Sequence, residues 1–197
     1  QIRDLEDNHL SSYNGIVSVT VFDKPQTLQT LGQNSGSPKV QFTVQRNILF
    51  RGSATVRDGD FKIKFIIPKD INYTFGGGKI SYYAHNSTHQ DAAGSDFNIV
   101  IGGNSNEIQD DQPPLVQVFM NDEQFAFGGV TDENPKIFVK LSDDNGINVS
   151  GTSIGHDLNA VVDDNVQAGI ILNDFFESSL DDYTSGSVLY PLRSLAP

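Results

Sequence analysis

The stretch Phe65 to Ala84, FIIPKDINYTFGGGKISYYA, constrains the fold of this chain more than any other, because two apolar strand patterns flank one specific connection. Phe65, Ile66 and Ile67 end a strand at Pro68, which has no N–H to give a ladder. Ile80, Tyr82 and Ala84 begin another after Gly76, Gly77 and Gly78. A chain organised around such connections is all-β.

Upstream, Val17, Val19 and Val21 alternate with Ser18 and Thr20 across Ile16 to Phe22, the pattern of a half-buried strand. Residues 23–38 are rich in Gln, Thr, Gly, Asn and Ser and predict a long exposed loop. Val40, Phe42 and Val44 alternate again, and Asp58-Gly59 is a two-residue hairpin signal between Ser53 to Val56 and Phe61 to Ile67. In that second arm Phe61, Ile63 and Phe65 face one way and Lys62 and Lys64 the other, as in a sheet with one wet face. His85 to Ser95 predicts a polar turn segment leading to a last strand over Phe97 to Ile101.

Residues 104–112 have the composition of a linker, and Pro113-Pro114 sets the entry to a new element. The expected organisation is therefore a β-sandwich over 1–103, the linker, and a second, immunoglobulin-like sandwich over 113–197. In the latter, Leu115 to Met120, Ile137 to Leu141, Leu158 to Val162, Ile170 to Leu172 and Val188 to Tyr190 are short apolar segments between turns. Asn173 or Asp174 is placed to cap a turn of helix through Phe176 to Leu180. The chain stops at Pro197, where such a sandwich turns into its closing strand. The second sandwich is thus expected to lack that strand, and the sheet edge so exposed to be covered by a neighbouring chain or by the domain's own loops.

Charge divides the chain unevenly. Residues 1–103 carry ten Lys or Arg against nine Asp or Glu, whereas residues 104–197 carry three against sixteen. Such a surface repels phosphates and anionic lipid, which argues against nucleic-acid binding by the second half and leaves solvation, calcium or a basic partner. No apolar run approaches a transmembrane helix, and Gln1 to Leu10 is polar and acidic rather than a secretory signal. The chain has no cysteine, and hence no disulfide, no thiolate-bound zinc and no thiol nucleophile.

Short motifs point weakly to chemistry. Gly76 to Lys79 resembles part of a phosphate loop but lacks the upstream glycine, the Ser or Thr after the lysine and a following helix, so it reads as a strand connection. Ser153, His156 and Asp157 supply triad residue types, yet neighbours on an extended chain point to opposite faces. Asp143, Asp144 and Asn145, with Asp163 and Asp164, are candidate calcium ligands of the right oxygen type that fail the helix-loop-helix calcium pattern. His85 and His89 share a polar loop without an indicated third metal ligand. Asn72, Asn86 and Asn148 head glycosylation sequons, which matter only in a eukaryotic secretory pathway. No cofactor is indicated.

Two long strings carry more information than these motifs. FRGSATVRDGDFKIKFIIPKDINYTFGGGKISYYA, preceded by NGIVSVTVFDKPQTLQTLG, resembles the region after the peptidase domain in the PorU-type sortases of the type IX secretion system of Bacteroidetes. PPLVQVFMNDEQFAFGGVTDENPKIFVKLSDDNGINVSGTSIGHDLNAVVDD and LNDFFESSLDDYTSGSVLYPLRSLAP resemble the carboxy-terminal immunoglobulin-like domain of the same family. The resemblance implies a piece of a gingipain-like cysteine peptidase at the extracellular face of the outer membrane. Such an enzyme removes the carboxy-terminal sorting domain of secreted cargo and transfers the cargo to lipopolysaccharide. Its thiolate and histidine have no counterpart here, so no catalytic residue carries over.

By that resemblance the partners are the peptidase domain upstream, an outer-membrane shuttle protein and secreted cargo. The acidic second half is the expected docking face, with Asp163, Asp164, Asp181 and Asp182 as the residues that meet a partner. The alternative is a stand-alone adhesin or glycan-binding sandwich, with Tyr73, Phe75 and Tyr83 as its aromatic contacts. An enzyme complete within these residues ranks third, since it needs a carboxylate pair or a metal.

Overall fold

The computed structural model describes residues 1–104, 110, 112–151, 157–193 and 195. The fold is all-β, and among the described residues the helical elements are two three-residue 3₁₀ turns, at Val166–Ala168 and Asn173–Phe175. In chain order the first half contributes β1 (Gly15–Phe22), β2 (Gln26–Gln29), β3 (Gln41–Val44), β4 (Ile48–Val56), β5 (Gly76–Gly77), β6 (Lys79–His85), β7 (Asp91–Asp96) and β8 (Val100–Ile101). The second half contributes β9 (Leu115–Met120), β10 (Lys136–Ser142), β11 (Asn159–Ala160), β12 (Ile170–Ile171), β13 (Phe176–Ser178) and β14 (Ser185–Pro191).

Eight of these strands form one sheet in the order β7-β6-β1-β4-β13-β14-β10-β9. The sheet is antiparallel except where the two halves meet, at a single parallel pair between Ser178 of β13 and Gly52 of β4. β1 is central to its half because its valines alternate: Val17, Val19 and Val21 are buried between β4 and β6. A bulge at the end of β1 lets Leu49 and Phe50, consecutive in β4, both turn inward. They join Val56, Ala84 and Ile101 in the first apolar cluster. The second cluster gathers Ile137, Val139 and Leu141 of β10 with Val149, Leu172, Phe176 and Val188.

Three local expectations are corrected. The Asp58-Gly59 turn forms, with φ of 52° and 77°, but its second arm does not join the ladder. Phe61, Ile63 and Phe65 do alternate toward the core, with Phe65 stacked on Phe50 at 4.9 Å, and they cover the first cluster as an extended segment. The reason is that β4 already has β1 on one edge and β13 on the other. Residues 91–96, expected within a turn segment, form β7. Asn86 Oδ1 accepts the N–H groups of Thr88 and Gln90, each at 3.0 Å, and closes the β6–β7 hairpin instead. Phe176 is strand rather than helix, because Asn173 does not cap: its Oδ1 accepts the Leu158 N–H at 2.9 Å and its Nδ2 donates to the Val149 carbonyl.

Residues 26–29 also depart from the expected loop, pairing with β3 in a small exposed sheet. The strand nearest the carboxy terminus, β14, lies inside the main sheet between β13 and β10. The sheet ends at β7 on one side and at β9 on the other, and among the described residues no strand covers the outer edge of β9.

Candidate functional site

The six candidate aspartates of the second half sit on three turns with different geometry. Asp143 follows β10, where its N–H donates to the Thr184 carbonyl at 2.8 Å and its Oδ1 accepts the Asn145 N–H at 2.8 Å. Gly146 closes this turn with φ of 80°, a conformation that favours glycine. Asp143, Asp144 and Asn145, together with Asp110, line an open cleft of about 600 Å³.

Asp163 and Asp164 form the turn after β11, both exposed and both left-handed, with φ of 53° and 55°. A short polar side chain tolerates this region better than a branched one. The calcium candidates are therefore split between two turns, and among the described residues no three acidic or histidine side chains converge as a metal site.

Asp181 and Asp182 make the third turn, and both carboxylates are engaged within the chain. Asp181 Oδ1 accepts the backbone N–H of Thr55 at 2.8 Å, and Oδ2 accepts its hydroxyl at 2.6 Å. The Asp181 N–H donates to the Ser53 carbonyl at 3.0 Å. One aspartate thus satisfies edge groups that β4 would otherwise present to water. These hydrogen bonds, with Thr55 foremost and the positive charge of Arg57 assisting, hold the Asp181 carboxyl below its usual range. Asp182 accepts from the Thr184 hydroxyl at 2.6 Å and the Ser185 hydroxyl at 2.7 Å, which likewise lower its pKa.

Further contacts tie the halves together beside Asp181. Asn148 Nδ2 donates to Asp70 Oδ2 at 2.6 Å, Lys64 Nζ lies 4.8 Å from the Tyr183 ring centre, and Arg51 donates to the Asp174 carbonyl. Tyr183 also packs against the first apolar cluster. A cavity of about 60 Å³ remains between the halves, lined by Leu49, Phe50, Phe176 and Tyr183 among others.

The remaining candidates are dispersed. Ser153 and His156 lie outside the described residues. Gly76 and Gly77 pair with β8, and Lys79 Nζ sits 4.1 Å from the Phe22 ring centre, so the glycine-rich segment is a strand connection as expected. Tyr73 and Phe75 are exposed in the segment before β5, whereas Tyr83 lies on the outer face of β6 beside His85. The three aromatics do not form one ring cluster. Among the described residues no helix is long and apolar enough to cross a membrane. Sequence reasoning missed the role of Thr55 and the exposed β9 edge. For β9 the available signal was Leu115 to Met120, where both faces carry apolar residues.

No family model and no curated protein matches the sequence. Among solved structures, the chain is similar to dimeric latent PorU from Porphyromonas gingivalis. The sequences are 33% identical, the match covers 98% of this chain and the TM-score is 0.50. The chain spans 18% of the length of that PorU chain. This similarity supports a PorU-related region.

Proposed function

We propose that this chain is the non-catalytic, post-peptidase region of a type IX secretion sortase, where it orients the peptidase domain and docks its partners. The observation that carries this reading is the 33% identity to PorU across 98% of the chain. The absence of cysteine fits a non-catalytic part, since a cysteine peptidase must draw its thiolate from elsewhere in the protein. In the reaction that the family resemblance implies, that thiolate attacks the scissile carbonyl and expels the sorting domain as an amine. An amine on lipopolysaccharide then resolves the thioester and releases the thiol. The protein would act at the extracellular face of the outer membrane, with the shuttle protein and cargo as partners.

Within this reading Asp163 and Asp164 are the better candidates for docking, being exposed in the half that carries three cations against sixteen acids. Asp181 and Asp182 already serve contacts inside the chain. Reading the coding sequence on both sides of Gln1 to Pro197 tests the proposal. An upstream domain bearing a peptidase His and Cys is the expected result. A start codon and signal peptide directly before Gln1 would overturn it and leave a free-standing surface module.

A further inference from the structure

The edge strand β9 is open along its backbone and on both faces. Register aligns Val116 with Leu141 and Val118 with Val139, so both valines point to the interior side of the sheet. Yet Val116 is 51% and Val118 65% exposed, and Leu115 on the opposite face is 63% exposed. The ladder phase follows from the Asn121 N–H, which donates to the Lys136 carbonyl at 2.8 Å. Antiparallel alternation from that bond turns residues 115, 117 and 119 toward β10 and turns the N–H and C=O groups of Val116 and Val118 outward. The only strand that pairs with β9 among the described residues is β10.

Charge selects the occupant. Asp110, Asp143 and Asp144 line the cleft at the Leu115 end, and Asp122 and Glu123 follow directly at the Met120 end. Lys140, opposite Gln117 in register, is already paired with Glu123 at 3.1 Å. A second copy of β9 laid antiparallel would bring these carboxylate ends together, which is unfavourable. We infer that β9 receives, by strand addition, an extended segment of a partner protein with apolar residues at alternate central positions and Lys or Arg at both ends. The docked strand hydrogen-bonds to Val116 and Val118, covers their side chains and pairs its ends with Asp110, Asp143 and Asp144 on one side and Asp122 on the other. The inference rests on the unpaired edge of β9 and its flanking charges rather than on the sortase reading.

The test uses the 197-residue chain and a synthetic peptide of alternating Val and Thr with two Lys at each end. Binding is expected to slow amide exchange at Val116 and Val118 by about tenfold or more, and a peptide ending in Glu is expected to bind about tenfold more weakly. Val118→Pro removes one outward N–H at an edge position where proline is tolerated, and is expected to abolish binding. If that variant does not fold, Val118→Lys keeps the backbone and places a charge on the face to be covered, with the same expected loss. Absence of binding, protection at amides outside β9, or equal binding of the Glu-ended peptide would overturn the inference. So would dimerisation that protects Val116 and Val118 without peptide, since the occupant would then be a second copy.

Discussion

The carboxylate of Asp181 accepts both the backbone N–H and the hydroxyl of Thr55, at 2.8 and 2.6 Å, across 126 residues of sequence. Asp181 holds φ of 61° to reach them, and its own N–H returns to Ser53. The turn therefore behaves as a short continuation of β13 along β4. Two apolar clusters with separate residues become neighbours through this polar edge, supplemented by Tyr183 and Asn148.

Removing that carboxylate is expected to destabilise the chain and to flatten its acid limb. Asp181→Ala loses two charge-assisted bonds, but the side chain is exposed, so solvent screening reduces the cost to about 1 kcal/mol. The folded pKa lies below the ordinary value of 3.8. The stabilisation is thus fully present above that value and is lost as pH falls through the folded pKa. Urea titrations at neutral pH and near pH 3 should show the wild-type advantage shrinking; an advantage that persists undiminished in acid would contradict the assignment.

Gly52 is the position at which the sheet crosses from one half to the other. A Cβ there would come within 2.6 Å of the Phe50 ring and 3.0 Å of Ser178 Cβ. Gly52→Val is expected to cost about 1–3 kcal/mol by overpacking. It should also raise amide exchange across Phe176–Ser178 while Val17 and Val19 stay protected. Equal protection of β13 in the variant would mean that the Gly52–Ser178 pair does not join the halves.

The tight turn at Asp58-Gly59 offers a sharper case. Gly59 has φ of 77°, and an added Cβ would sit 2.4 Å from the Leu10 carbonyl oxygen. The Gly59 carbonyl accepts the Ile2 N–H at 2.7 Å, which ties the amino-terminal segment to the core. Gly59→Ala is expected to cost about 1–3 kcal/mol from backbone strain and displacement of that segment. The check is thermal unfolding together with proteolysis at residues 1–12; unchanged melting and unchanged cleavage would refute the prediction.

How much of this was legible varies with the kind of signal. β1, β6, β10 and the Val188–Tyr190 part of β14 were readable because each alternates over several residues and buries one face. The alternation of Phe61, Ile63 and Phe65 correctly gave their buried face. It could not give their pairing, since a ladder also needs a free neighbouring edge, and Ser178 from a distant segment meets β4. β13 is only three residues long and follows Asn173-Asp174, which imitate a helix cap locally. Asp163-Asp164 and Asp181-Asp182 look alike in sequence. Only tertiary placement brings Asp181 to Thr55 and leaves Asp163 and Asp164 exposed.

That distinction makes the docking proposal testable in the full-length protein. Asp163→Asn with Asp164→Asn removes two exposed charges while retaining a side chain suited to left-handed backbone. Stability should change by no more than about 0.5 kcal/mol, as is usual at exposed positions without structural bonds. If a basic surface of the shuttle protein docks there, association should slow and its dependence on ionic strength should flatten, because long-range attraction acts mainly on encounter. Asp181→Asn serves as the contrasting variant, expected to alter folding stability more than association rate. An unchanged rate and salt dependence in the double variant, with its fold intact, would remove these two aspartates from the docking face and shift attention to the carboxylates flanking β9.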